Sequence, residues 1–252
     1  MTNLELIQSR HSVRSYSGKA IPDDVRNRLK SEITYINTHE AGLNFQLCFD
    51  DDAPFRGVGR SYGMFRGVRN YLVAVIDPTF PDAYERAGYF AEQFVIEALK
   101  LGIGTCFVGG TFSRQNVGAR VEVYEKIPFV VSFGYPEDDK TPLLAKMAMK
   151  FAHRKKMSPR DFFDGTDSEY EAARQEFKWL DIALEAVACA PSSLNKRPVR
   201  LKTTTVEGKL QIEATTNGQE TSPVDLGIAK FNVATAVAGI FDWGNPGTFY
   251  KD

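Results

Sequence analysis

The sequence predicts an α+β fold, and three observations carry that expectation. Long segments with apolar residues at helical spacing alternate with short apolar runs of strand length. Two alternating segments, Arg200–Thr205 and Leu210–Thr215, flank Glu207-Gly208 and read as a β-hairpin. Two helical segments echo each other. Glu92–Gly102 reads EQFVIEALKLG and Ala229–Gly239 reads AKFNVATAVAG, both with Phe third (Phe94, Phe231) and both followed by Ile. The echo fits an internal duplication. It is also what any two buried helices with glycine ends would share.

Leu4 and Ile7 place a short helix over Thr2–Gln8. Pro22, Asp23 and Asp24 open a second helix, because proline suits the first turn and acids complement its dipole. Val25, Leu29, Ile33 and Ile36 give that helix one apolar face to about Asn37. Phe45–Phe49 and Asn70–Ile76 read as strands around a Gly- and Arg-rich loop at 56–67. Tyr84–Leu101 is a central helix, with Phe90, Phe94, Ala98 and Leu101 in one stripe and Gly102 as its stop. Strands follow at Ile103–Gly110 and Phe129–Phe133. Asp164–Ser168 is a polar break, Tyr170–Ala188 reads as one helix, and Leu226–Ala238 as the last.

The composition narrows the class. Of 252 residues, 43% are hydrophobic and 25% charged, a globular balance. The net charge of −1 leaves no whole-surface field for nucleic acid. Three widely spaced cysteines without C-x-x-C argue against a disulfide framework or a zinc site. The N-terminus is polar and no run approaches the ~20 apolar residues of a membrane helix. A cytoplasmic protein without a membrane partner is the expectation. Nucleotide-loop, metalloprotease and serine-hydrolase motifs are all missing, and His11, His39 and His153 are the only histidines.

What remains are clusters of cations, hydroxyls and glycines. In an extended Arg10–Tyr16, alternate residues share a face, so Arg10, Ser12 and Arg14 point one way. Two guanidiniums flanking a hydroxyl suit a phosphate or an electron-rich ring edge; the same alternation also describes a solvated strand. Ala190-Pro191-Ser192-Ser193-Leu194-Asn195-Lys196-Arg197-Pro198 is dense in short donors, and turns of this composition also bond to themselves. Gly109-Gly110 lets backbone N–H groups approach a ligand, or makes a plain turn. Arg154-Lys155-Lys156 suits a phosphate, or a solvated face.

In this order the segments resemble the FMN-dependent nitroreductase superfamily. Arg10-His11-Ser12-Val13-Arg14 is similar to its N-terminal motif, and ALKLGIGTCFVGG, ending at Gly110, to its central helix and following strand. Phe133-Gly134-Tyr135-Pro136 resembles its G-Y-P turn, and His153–Lys156 its terminal basic cluster. The family's Pro-Ser-Ser-x-Asn segment is absent at Ile36–Asn44 and occurs instead at Pro191–Asn195, with Arg197 in place of Gln. Val224–Asn232 then resembles the start of a second central helix.

The resemblance implies an α-β-α sandwich with a mixed, mainly antiparallel sheet, internally duplicated as a single-chain pseudo-dimer of the long fused type. Residues 1–165 would be one copy and 166–252 a truncated second copy, intertwined with the first. It implies one FMN site and an empty sister site in a monomer, with a weak homodimer as the alternative. The expected activity is oxidoreduction from NAD(P)H through FMN to a nitroaromatic, quinone or similar small acceptor, in ping-pong order, with no metal. By resemblance Arg10, Arg154 and Lys156 hold the phosphate, and Arg14 the N1–O2 edge. Ser12, Ser192, Ser193 and Asn195, beside His11 and Pro191, bond the ribityl chain or ring. A backbone N–H at Gly109 or Gly110 reaches N5, Val108 adjoins the cofactor, and Ser61 and Gly63 line the flavin. No side-chain acid or base is expected, since the cofactor carries the chemistry. The alternatives are a non-catalytic flavin-binding module and a nitroreductase-fold enzyme of other flavin chemistry, such as reductive dehalogenation.

Overall fold

The structure is a computed structural model that describes residues 1–56, 63–137, 157–216 and 222–252. Among them, eight strands form two four-stranded antiparallel sheets. The first holds β1 (Gln46–Cys48), β2 (Asn70–Val73), β3 (Gly104–Val108) and β4 (Val130–Gly134), in the order β1-β2-β4-β3. The second holds β5 (Arg200–Val206), β6 (Lys209–Thr215), β7 (Gly239–Phe241) and β8 (Gly247–Lys251), in the order β5-β6-β8-β7. The orders are the same. The helices fall alike too: α3 (Ala83–Lys100) joins β2 to β3, and α6 (Ser222–Val237) joins β6 to β7. Helix α2 (Asp23–His39) precedes the first sheet, as α5 (Leu180–Cys189) precedes the second. The internal repeat is therefore one of topology. Parallel bridges at Ser12↔Thr105 and Phe163↔Leu201 give the mixed character.

The chain divides into two compact units whose limits cross the linear halves. One comprises Met1–Ser9, Tyr84–Glu92 and Lys155–Asp252; the other comprises Arg10–Ala83 and Gln93–Arg154. The first contains α1 (Asn3–Ser9), whose Asn3 amide donates to the Thr235 carbonyl at 2.8 Å. Its core gathers Leu180, Leu184 and Val187 from α5, Leu201 and Ile212 from the hairpin, and Leu226 and Val233 from α6. In the other unit Val73, Val75, Val108 and Val130 pack with Tyr71, Phe55 and Phe112.

Most elements fall where the sequence predicts them, and the differences have physical reasons. Tyr170–Ala188 is two helices, α4 (Asp167–Glu176) and α5, not one. A continuous helix would point Phe177 and Trp179 to different faces. The break brings their rings to 5.3 Å of each other, and Trp179 to 4.9 Å of Phe249. The hairpin turn takes Glu207 at φ 51° and Gly208 at φ 78°, the positive pair a tight two-residue loop requires. Strands β7 and β8 lie in a stretch for which no strand is expected, being only three and five residues long.

Among the described residues, the crossing of α3 and α6 makes the tightest glycine contact. A Cβ on Gly88 would lie 2.1 Å from the Val224 carbonyl oxygen, and one on Gly227 would lie 1.9 Å from the Glu85 carbonyl oxygen. Gly227 follows Gly88 by as many residues as Val224 follows Glu85, so the two contacts are reciprocal, as in an isologous interface. Lys230 closes the crossing. Fully buried, its ammonium donates to Glu85 Oε1 and to the carbonyls of Asp242 and Gly244, both at 2.8 Å. Glu85 Oε2 accepts from the Gly244 N–H at 3.0 Å.

Glycine is obligatory at these two positions. Gly88→Ala and Gly227→Ala are each expected to destabilise by about 2 kcal/mol or more, lowering the thermal midpoint by at least ~5 °C. Gly109→Ala, where a Cβ meets nothing within 4 Å, is expected to leave it unchanged. A melt of the three variants checks this; equal midpoints would contradict the packing argument.

Candidate functional site

The Arg10–Tyr16 segment lies beside β3. Val13 N–H donates to the Thr105 carbonyl at 2.8 Å, and Tyr16 N–H to the Arg66 carbonyl at 3.0 Å. Arg66 N–H returns a bond to the Arg14 carbonyl at 2.9 Å, so residues 66–67 of the Gly-Arg loop hold this segment from its other side. Two glycines make room: a Cβ at Gly104 would meet Val13 at 2.6 Å, and one at Gly67 the Tyr16 carbonyl at 2.3 Å. Tyr16 anchors the end, its hydroxyl donating to the Val13 carbonyl at 2.8 Å and lying 2.8 Å from Ser132 Oγ. Burial pushes this phenol well above its usual range.

The predicted alternation is present. Val13 is buried, while Arg10, Ser12 and Arg14 are half-exposed, and all three act on one group, the Cys106 thiol of β3. Burial raises that thiol, and Arg14, Ser12 and Arg10 pull against it. Two cations and a hydroxyl thus act on one buried side chain of β3. At the end of the strand Gly109 and Gly110 are exposed, and a Cβ on either would meet nothing within 4 Å. Neither has a left-handed φ. Nothing in the protein's own packing requires glycine there. Val108 is buried and pairs with Val130, and the Gly109 carbonyl accepts from Arg114 at 2.8 Å. His11 is exposed, and Gly63 sits in a turn at φ 64°. Ser61, Arg154 and Lys156 lie outside the described residues.

Pro191–Asn195 lies in the other unit. Its turn is strained: Leu194, Asn195 and Arg197 all have φ near 50° without being glycine. Its polar groups are partly spent on one another. Ser192 Oγ accepts from Arg197 N–H at 2.9 Å, and Asn195 Oδ1 from Arg197 Nε at 3.1 Å. Ser192 and Asn195 thus each bond within the turn, and Arg197, standing where the family has Gln, serves as a brace.

The structure adds Asp225, one turn into α6, which no sequence motif singled out. Its Oδ1 accepts from Ser193 N–H at 3.0 Å, while Oδ2 is buried with no hydrogen-bond partner. Burial pushes this carboxyl up to about 6, against the Ser193 N–H and the Lys196 charge. A sequence signal existed. The only charges on the otherwise apolar α6 are Asp225 and Lys230, and both are buried.

The raised carboxyl has a stability consequence with a definite sign. The folded state holds this proton more readily than the unfolded chain, so stability falls as pH rises from about 4 to about 6. The loss is about 2–3 kcal/mol. Asp225→Asn is expected to raise the thermal midpoint at pH 7.5, with the gain vanishing at pH 4; an equal gain at both would contradict this.

Comparison with known proteins adds kinship. A crystal structure of a "putative nitroreductase" from Thermotoga maritima is 18% identical over 99% of this chain and 93% of its own, with a TM-score of 0.63. At that identity the likeness shows the fold. A nitroreductase with bound FMN from Bacteroides fragilis is 20% identical over 55% of this chain and 90% of its own, at a TM-score of 0.44. An FMN-dependent nitroreductase from Clostridium difficile is 15% identical over 60% and 98%, at 0.42. No curated protein matches. A model of the family described as "Putative TM nitroreductase" matches residues 3–237. The chain belongs to that nitroreductase family.

Proposed function

We propose that the chain is an FMN-dependent oxidoreductase of nitroreductase type, acting from NAD(P)H on a small acceptor such as a nitroaromatic or quinone. The observation that carries this reading is the Arg10–Arg14 segment lying along β3, where Arg10, Ser12 and Arg14 act on Cys106, with open space beside Gly109 and Gly110 after the strand. Those residues suit FMN: cations for a phosphate and a ring edge that gains charge, a hydroxyl for a polyol, and bare backbone for close approach to a flat ring. Bound FMN would supply the redox chemistry, accepting hydride from NAD(P)H and passing electrons to the acceptor in ping-pong order.

The chain's own residues bind and tune. Arg10, with Arg154 and Lys156, neutralises the phosphate. Arg14 places fixed positive charge where reduction builds negative charge, which favours the reduced cofactor without reorganisation. Ser12, Ser192, Ser193 and Asn195 offer hydrogen bonds, the last three from a turn that Arg197 already holds in shape. No side-chain acid or base belongs to this reading. It includes one cofactor per chain and a cytoplasmic monomer, the internal repeat taking the place of a second subunit.

Anaerobic addition of NADH or NADPH to the FMN-loaded protein is expected to bleach the flavin absorbance, and a nitroaromatic or quinone to restore it. Persistent colour would contradict the enzymatic reading. Arg10→Ala removes one charge-assisted phosphate contact and is expected to weaken FMN binding about tenfold or more. Unchanged affinity would remove Arg10 from the phosphate site.

A further inference from the structure

We propose that Asp225 is a ligand-binding residue of the Pro191–Asn195 turn, its Oδ2 accepting a hydrogen bond from a hydroxyl of the cofactor's polyol chain. The assignment rests on the flavin reading above and adds to it a residue on the second helix of the repeat.

The geometry is that of an unfilled acceptor. Asp225 is 4% exposed; its Oδ1 is held by Ser193 N–H at 3.0 Å, and its Oδ2 is buried without a hydrogen-bond partner. Buried carboxylate oxygens are rarely left so. Lys230, the other charge of α6, shows the ordinary solution, with Glu85 and two carbonyls around its ammonium. The Asp225 carboxyl instead lines a small pocket with Phe162, Val187, Pro191, Ser192 and Arg197, wide enough for a hydroxyl or a water molecule.

The walls select the occupant. A carboxylate only accepts, so the partner must be a donor. A cationic donor is disfavoured, because Lys196 and Arg197 already bring positive charge from the turn, and the walls from 159–162 and α5 present apolar Phe162 and Val187. A neutral hydroxyl fits both the charge and the size. The carboxylate also lowers folded stability above pH 6, as derived above, a cost that a binding role explains.

Bonding to a donor favours the ionised form, so binding must lower the carboxyl's midpoint and weaken as pH falls through about 6. The test follows the Asp225 carboxyl carbon resonance of the full chain against pH, with and without saturating FMN, alongside FMN affinities of wild type and Asp225→Asn at pH 7.5 and 5. Comparing the two proteins in the same buffers cancels the protonation of the FMN phosphate itself. The expected result is a midpoint near 6 that drops by about one unit on binding, with wild type losing about fivefold more affinity than the variant between the two pH values. The wild-type resonance carries the test independently of the variant. FMN binding with an unmoved midpoint and parallel pH dependence in both proteins overturns this assignment alone. No FMN binding by wild type at either pH overturns the flavin reading and the assignment with it.

Discussion

The close approach of α3 and α6 is the constraint on which the rest depends. Backbone meets backbone at Gly88 and Gly227, and no side chain larger than hydrogen fits at either point. Such contacts fix two helices in register, because a shift along either axis brings a Cβ into a carbonyl. The Lys230–Glu85 pair then locks the register from one side and ties in the loop after β7 through Asp242 and Gly244. A buried ion pair contributes little net stability, yet removing one partner costs about 3–5 kcal/mol.

The repeat is symmetric in topology and asymmetric in chemistry. After β3 the chain runs into Gly109-Gly110, with open space around both. After β7, its counterpart, the backbone of Asp242 and Gly244 is consumed by Lys230 and Glu85. The Arg10–Arg14 segment borders β3, the edge strand of the first sheet. Two sheets of the same strand order thus differ, β3 running into an open end and β7 into a closed one.

Much of this was legible in the sequence, because periodicity and glycine placement act locally. Helices α2, α3 and α6, the hairpin turn and the shared face of Arg10, Ser12 and Arg14 all follow from spacing of 3.6 or 2. The break at Phe177–Trp179 was not legible, since it is decided by where two aromatic rings find a core. Strands β7 and β8 were too short to show a pattern. Asp225 was missed for a different reason: its significance lies in a partner its Oδ2 lacks, and a missing bond leaves no motif. The one trace was a charge in an apolar helix. Arg197 shows the limit of motif matching, since its departure from the family's Gln is a brace on Asn195 that only the coordinates reveal.

The central claim is one functional flavin site built on a duplicated scaffold, and the number of FMN molecules per 252-residue chain tests it most directly. Flavin absorbance of the FMN-saturated, desalted protein, set against chain concentration from amino-acid analysis, reads that number. One FMN per chain is the predicted result. Two per chain would mean that the second copy keeps a site of its own, and none would mean that the convergent arginines serve something else.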